Sequence, residues 1–324
     1  MRRSFLASVS LFAAVIGSVP GPSDAQSYRW GEGYFPNLPV VTQHGETVRF
    51  YDDLIKGKNV VISFIFTACR DFCPITTARL AQVEEKLGDS MGRDIFFYSI
   101  TVDPENDTPE KLKAYADAFQ AGPGWRFLTG KLDDIRAINS KLGEKMRSLN
   151  EHRNEIVLGN DATGRWGRNN LFGDLDTVIT AIRAMDPKWH DHVRVPSKGD
   201  NGNTIYKFDG PPGQALFTRL CAPCHTVGNG DRVGPDLKGI TAQRGRGWLV
   251  SYIKDPHKMR TENDPVALEL AEKYKGARMP SLSISDNDAA DLLAYVELLT
   301  YRLSGAQNSS EDTSAPPQHN HHHH

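Results

Sequence analysis

Cysteine is scarce in this chain. Its 324 residues include four cysteines, all in two close pairs, so none is left for a structural disulfide elsewhere. An excess of one charge is also missing. Lys and Arg number 38 against 40 Asp and Glu, a formal net charge of −2. That balance excludes the large basic surface that nucleic acid requires. Long apolar runs are absent beyond the N-terminus, where Phe5 to Val19 is too short to span a bilayer comfortably. The rest of the composition is ordinary for globular protein, and the length suggests two domains, each able to bury a core.

The ends read as processing or accessory segments. Met1-Arg2-Arg3, the apolar run and Ser23-Asp24-Ala25 form a signal peptide over residues 1–25, with cleavage expected after Ala25. The mature protein is then expected in the periplasm, without a membrane span. Arg2-Arg3-Ser-Phe-Leu also looks like a twin-arginine signal, a route for folded proteins. Residues 304–324 are polar and end in a histidine cluster, His319 to His324 interrupted by Asn320. This tail is expected to be disordered. It reads either as an appended tag or as a native metal-capturing tail, and the retained leader and Asn320 favour the latter.

Residues 28–187 alternate strand and helix patterns. Lys58 to Phe66 is a nearly continuous β-branched and apolar run, as a buried strand requires. Cys69-Arg-Asp-Phe-Cys73-Pro74 follows at once. Leu80, Val83 and Leu87 then mark one helical stripe. Further strands are expected at 94–102, 125–129 and from Glu155, and helices from Thr108 as N-cap, from Leu132 and from Leu175. This order is that of a thioredoxin-like α/β sandwich.

If Cys69 to Cys73 form the first turn of the following helix, both sulfurs share a face. The helix N-terminus then lowers the thiol pKa. Two soft thiolates suit Cu(I), and an imidazole completes a three-ligand site. The same pair can close to a disulfide. The candidate imidazole is His152, on a loop just before a strand.

These motifs together resemble the Sco/SenC family of copper chaperones. The resemblance rests on Phe64-Ile-Phe-Thr-Ala-Cys69-Arg-Asp-Phe-Cys73-Pro74, on Ser99-Ile-Thr-Val-Asp103-Pro104-Glu105-Asn-Asp-Thr-Pro-Glu110, and on His152 before a strand and an Asn-Asp-Ala-Thr-Gly turn. It implies copper bound by Cys69, Cys73 and His152, and a role in assembling the copper A centre of cytochrome c oxidase. The partner it implies is the oxidase subunit carrying that centre. Asp103 matches a family acidic position near the metal and reads equally well as a turn-forming Asp before Pro. The polar Glu151-His152-Arg153-Asn154 departs from the family pattern.

Residues 188–203 read as a linker, whose His190 and His192 are better explained as solvated than as ligands. Residues 204–303 then show a second chemistry. Cys221-Ala-Pro-Cys224-His225 is the attachment signature of c-type haem, with two thioethers and a histidine ligand. Gly234-Pro235, Met279-Pro280 and an apolar-striped closing helix after Ser285 resemble a class I monohaem cytochrome c, a small all-α fold. That resemblance implies Met279 as sixth iron ligand, ahead of Met259 and His257. Trp248 and Tyr252 read either as core aromatics or as residues facing the haem carboxylates.

The whole reads as a periplasmic copper metallochaperone with a tethered haem for electron transfer to or from the copper site, in contact with other periplasmic redox proteins. The alternatives are a thiol–disulfide oxidoreductase and a redox or copper sensor that delivers no metal.

Overall fold

The computed structural model describes residues 30–144, 155–188 and 210–311. The expected signal peptide, most of the linker with His190 and His192, His152 and residues 312–324 with the histidine cluster lie outside the described residues, whereas residues 304–311, expected to be disordered, continue the last helix as far as Glu311. Among those described, no helix is long and apolar enough to cross a membrane.

The first part is a seven-stranded mixed sheet with helices on both faces. The strands are β1 (Pro39–Thr42), β2 (Thr47–Arg49), β3 (Asn59–Ile65), β4 (Ile95–Thr101), β5 (Trp125–Thr129), β6 (Glu155–Asn160) and β7 (Arg165–Asn170). Their order is β2-β1-β5-β4-β3-β6-β7. β3, β4 and β5 run parallel at the centre, with antiparallel strands outside. All seven residues of β3 are buried, as the unbroken apolar run demands of a central strand.

The helices are α1 (Cys73–Leu87), α2 (Pro109–Ala118), α3 (Leu132–Lys141) and α4 (Leu175–Arg183). Leu80, Val83 and Leu87 of α1 are all buried against one face of the sheet, with Phe97, Tyr115, Phe119 and Trp125. Thr108 caps α2 by accepting from the Lys111 N–H, and Pro109 occupies a position that needs no donor. The other face packs Phe50, Leu54, Ile62, Tyr98 and Ile138. Between the faces, Ser63 and Ser99 stand opposite in register with oxygens 2.8 Å apart, and Trp125 Nε1 donates to Ser99 at 2.9 Å. A polar pair inside the sheet is thereby satisfied.

The second part is all helical. It comprises the short α5 (Gln214–Leu216) running on to Cys221, α6 (Ile240–Gln243), α7 (Arg246–Lys254), α8 (Pro256–Thr261), α9 (Pro265–Lys273) and α10 (Asp286–Glu311). Ala289, Leu292, Leu293 and Val296 form the buried stripe of α10. Leu292 and Val296 pack on Phe217, close to the Cys221 turn.

Candidate functional site

The first pair of cysteines lies where β3 ends. Asp107 organises this point from beneath. Its carboxylate accepts from the Thr67 N–H at 3.2 Å, the Thr67 hydroxyl at 2.5 Å and the Thr101 hydroxyl at 2.6 Å. Only 1% of Asp107 is exposed, and burial raises its carboxyl above the ordinary value although these donors pull it down. It thereby ties the end of β4 to the start of the cysteine loop.

Cys69 then turns back, its N–H donating to the Phe66 carbonyl at 3.1 Å. Cys69 is 9% exposed and Cys73 1%, both packed against Phe66 and Val102. The two thiols are hydrogen-bonded to each other.

Two expectations about this pair need correction. Cys69 is not in the first turn of the helix: α1 begins at Cys73. A helix starting at Cys69 would need the residue-74 N–H to reach the Arg70 carbonyl, and Pro74 has none. Nor is the Cys73 thiol lowered on balance, although its own backbone N–H at the helix start pulls in that direction. Burial pushes it well up, helped by the hydrogen bond with Cys69, because removing a thiolate from water outweighs the helix end here.

Asp103 takes the turn-forming role, accepting from Asn106 Nδ2 at 2.9 Å while its own N–H donates to Thr101 Oγ1. His152 falls outside the described residues. Among the described residues no group of three His, Cys, Asp or Glu stands close enough to hold a metal. The described part of a copper site is therefore the two thiols.

The second pair sits on one helical turn. The Cys224 and His225 N–H groups both donate to the Cys221 carbonyl, at 3.0 and 2.9 Å, which brings the two sulfurs and the imidazole to one side. His225 Nδ1 lies 2.8 Å from the Pro235 carbonyl. A carbonyl only accepts, so Nδ1 carries the proton and Nε2 keeps a free lone pair. Burial lowers the His225 pKa and keeps the ring neutral. A Cβ on Gly234 would stand 2.6 Å from the ring's Cε1, so only glycine leaves the ring room.

Cys221, Cys224 and His225 line a cavity of about 750 Å³, mouth included, together with Tyr252, Met279 and Leu282. Paired sulfurs, a neutral imidazole with a free Nε2, a thioether and an apolar lining fit a c-type haem. Neither Met259 nor His257 lines this cavity. His257 instead faces Ala68, Arg70 and Asp71 of the cysteine loop across a separate cleft. Tyr252 lines the haem cavity while stacking on Trp248 at 4.8 Å, and Trp248 Nε1 donates to Asp264 at 3.0 Å.

Some residues of the site carry no signature in the sequence. Pro74, Ile75 and Phe119 of the α/β part line the haem cavity. Asp107 is also unmarked by type, although it stands inside the Asp103–Glu110 motif.

The fold and these sites define a thioredoxin-like dithiol domain joined to a c-type cytochrome domain. Comparison with known proteins agrees. The SCO1/SenC family model matches residues 36–158, and the cytochrome c family model matches residues 211–300. A Stutzerimonas stutzeri protein named as a candidate copper-binding protein is 31% identical over 169 residues, 52% of this chain and 73% of its own length. The SCO1 protein homolog of Bacillus subtilis is 37% identical over 89 residues, 27% of this chain and 45% of that protein. The crystal structure of a SCO1/SenC family lipoprotein from Bacillus anthracis shares 24% identity, covering 50% of this chain and 98% of that one, with a TM-score of 0.42. The chain belongs to the SCO1/SenC family and carries a C-terminal cytochrome c domain.

Proposed function

We propose that this protein is an exported, periplasmic copper metallochaperone that serves assembly of the copper A centre of cytochrome c oxidase. Cys69 and Cys73 bind Cu(I), with His152 as third ligand. Cys221 and Cys224 hold one haem covalently, His225 and Met279 ligate its iron, and it supplies transfer of single electrons to or from the copper site. The partner is the oxidase subunit that receives the copper.

One observation carries the reading: two mutually hydrogen-bonded thiols are buried at the end of β3, held there by the Asp107 network. Burial of Cys73 disfavours the exposed thiolate that disulfide exchange needs, whereas Cu(I) brings a positive charge that compensates paired thiolates. That favours metal binding over the oxidoreductase reading. The test is Cu(I) transfer to the apo oxidase fragment carrying the copper A site, followed by removal of the donor protein, oxidation of the fragment with ferricyanide and its visible absorption. Cu(I)-loaded protein is expected to metallate the fragment, and a Cys69→Ser/Cys73→Ser variant is not. Equal metallation by both would rule the proposal out.

A further inference from the structure

The loop between Cys69 and Cys73 is fastened to the loop that carries Met279. The Ser281 N–H donates to the Arg70 carbonyl at 2.8 Å. Arg70 stands between the two cysteines, and Ser281 follows Met279 by two residues. The Ser281 hydroxyl donates to Asp255 at 2.8 Å, and Asp255 caps α8 by accepting from the Lys258 N–H at 3.0 Å.

A second connection runs through the core. The Thr77 hydroxyl donates to the Cys73 carbonyl at 2.9 Å and lies 3.1 Å from the Tyr115 hydroxyl. Tyr115 is 4% exposed and belongs to the cluster against which Cys224 packs. Pro74 and Ile75, which follow Cys73 directly, form part of the wall of the haem cavity. The two parts also meet closely elsewhere. A Cβ on Gly276 would lie 2.5 Å from the Ala118 Cβ, and Arg232 pairs with Glu85 at 2.8 Å.

We infer that these contacts link copper affinity at Cys69 and Cys73 to the redox state of the haem, so that Cu(I) binding favours the oxidised haem and reduction of the haem loosens Cu(I). The inference rests on the copper-binding reading above. Its sign follows from charge. Binding Cu(I) releases two thiol protons to solvent, leaving two thiolates and one Cu(I) with one net negative charge. The ferric site carries one more positive charge than the ferrous site. The two are separated by packed protein, where charges are poorly screened. The Arg70–Ser281 hydrogen bond adds a mechanical link, because drawing both cysteines onto a metal pulls on the carbonyl that Ser281 holds. Linkage makes the effect reciprocal. An electron reaching the haem then serves as a release signal for copper.

The test uses the full, haem-loaded chain. The haem potential is measured by spectroelectrochemistry with and without one equivalent of Cu(I). Cu(I) affinity is measured in each haem state by competition with a chromophoric chelator. The expected result is a potential lowered by about 59 mV and Cu(I) bound about tenfold more weakly in the ferrous state. Ser281→Ala keeps the N–H donor and is expected to retain the shift. Ser281→Pro removes the donor and is expected to reduce the shift to the part carried by charge alone while keeping the haem spectrum and Cu(I) stoichiometry. Should Ser281→Pro fold poorly, Arg232→Glu with Gly276→Leu opens the same interface from the other side and is expected to do likewise. Copper binding with no shift in potential overturns the inference and leaves the copper reading standing. A shift that survives Cys69→Ser/Cys73→Ser also overturns it. Failure of the wild-type chain to bind Cu(I) removes the copper reading itself, and the inference with it.

Discussion

Asp107→Ala tests whether the cysteine loop is set from below. The substitution strips the acceptor from the Thr67 N–H, the Thr67 hydroxyl and the fully buried Thr101 hydroxyl. A hydrogen bond to a charged group contributes about 1.5–3 kcal/mol, and an unsatisfied buried group costs about 1–3 kcal/mol. Three such bonds are not additive, because removing the carboxylate also removes its own cost of burial. A net loss of about 2–4 kcal/mol is expected, a fall in Tm of roughly 4–16 °C for a domain of this size. Cu(I) affinity should fall as well, since Thr67 fixes the path from β3 to Cys69. Thermal melts by circular dichroism and a Cu(I) chelator competition measure both. Asp103→Ala serves as the contrast. Among the described residues the Asp103 side chain bonds its turn neighbour Asn106 alone, so a change within about 0.5 kcal/mol is expected. Equal effects from the two substitutions would refute the role assigned to Asp107.

Three further outcomes follow from particular groups. Asp107 has a raised carboxyl pKa, so between its ordinary value and its folded value the native state binds more protons than the unfolded one. Its contribution to stability is present below the ordinary carboxylate range and is lost as pH rises through the folded pKa, so Asp107→Asn should flatten urea-denaturation midpoints across that window. Gly234→Ala should displace the His225 ring, given the 2.6 Å approach of the added carbon. The haem-loaded variant should show an altered Soret band while its thioether attachment survives alkaline pyridine treatment. Gly124→Ala brings its Cβ to 2.5 Å from the Gly92 nitrogen, a backbone atom that cannot yield cheaply. A loss of about 1–3 kcal/mol is expected in chemical denaturation, with Cu(I) stoichiometry unchanged.

Sequence patterns reveal elements whose burial is one-sided or complete. β3 is legible because an unbroken apolar run has no alternative to a central strand. The α1 and α10 stripes are legible because apolar residues recur at the helical period. β7 is not. Arg165 to Asn170 is polar and sits at the edge of the sheet, where pairing with β6 alone makes it a strand. β1 and β2, at four and three residues, carry too little pattern to separate from loop.

The chemistry follows the same division. Cysteine spacing exposes both pairs, because those motifs are local. The start of α1 was obscured by the spacing of Cys69 and Cys73, which suits a helix turn, and Pro74 is the residue that decides against it. The role of Asp107 depends on burial, which residue type does not show. The shared wall of the haem cavity joins Pro74 and Ile75 to Cys221, Cys224 and His225, residues far apart in sequence and brought together only by tertiary packing.

The central claim is that Cys69 and Cys73, with His152, form a Cu(I) site. The most direct test is anaerobic titration of the reduced full chain with Cu(I), read by competition with a chromophoric chelator. The wild-type protein is expected to bind one Cu(I) tightly, His152→Ala to bind it more weakly, and Cys69→Ser/Cys73→Ser to lose it. Tight binding that persists without the two cysteines, or no binding by the wild-type chain, would contradict the account.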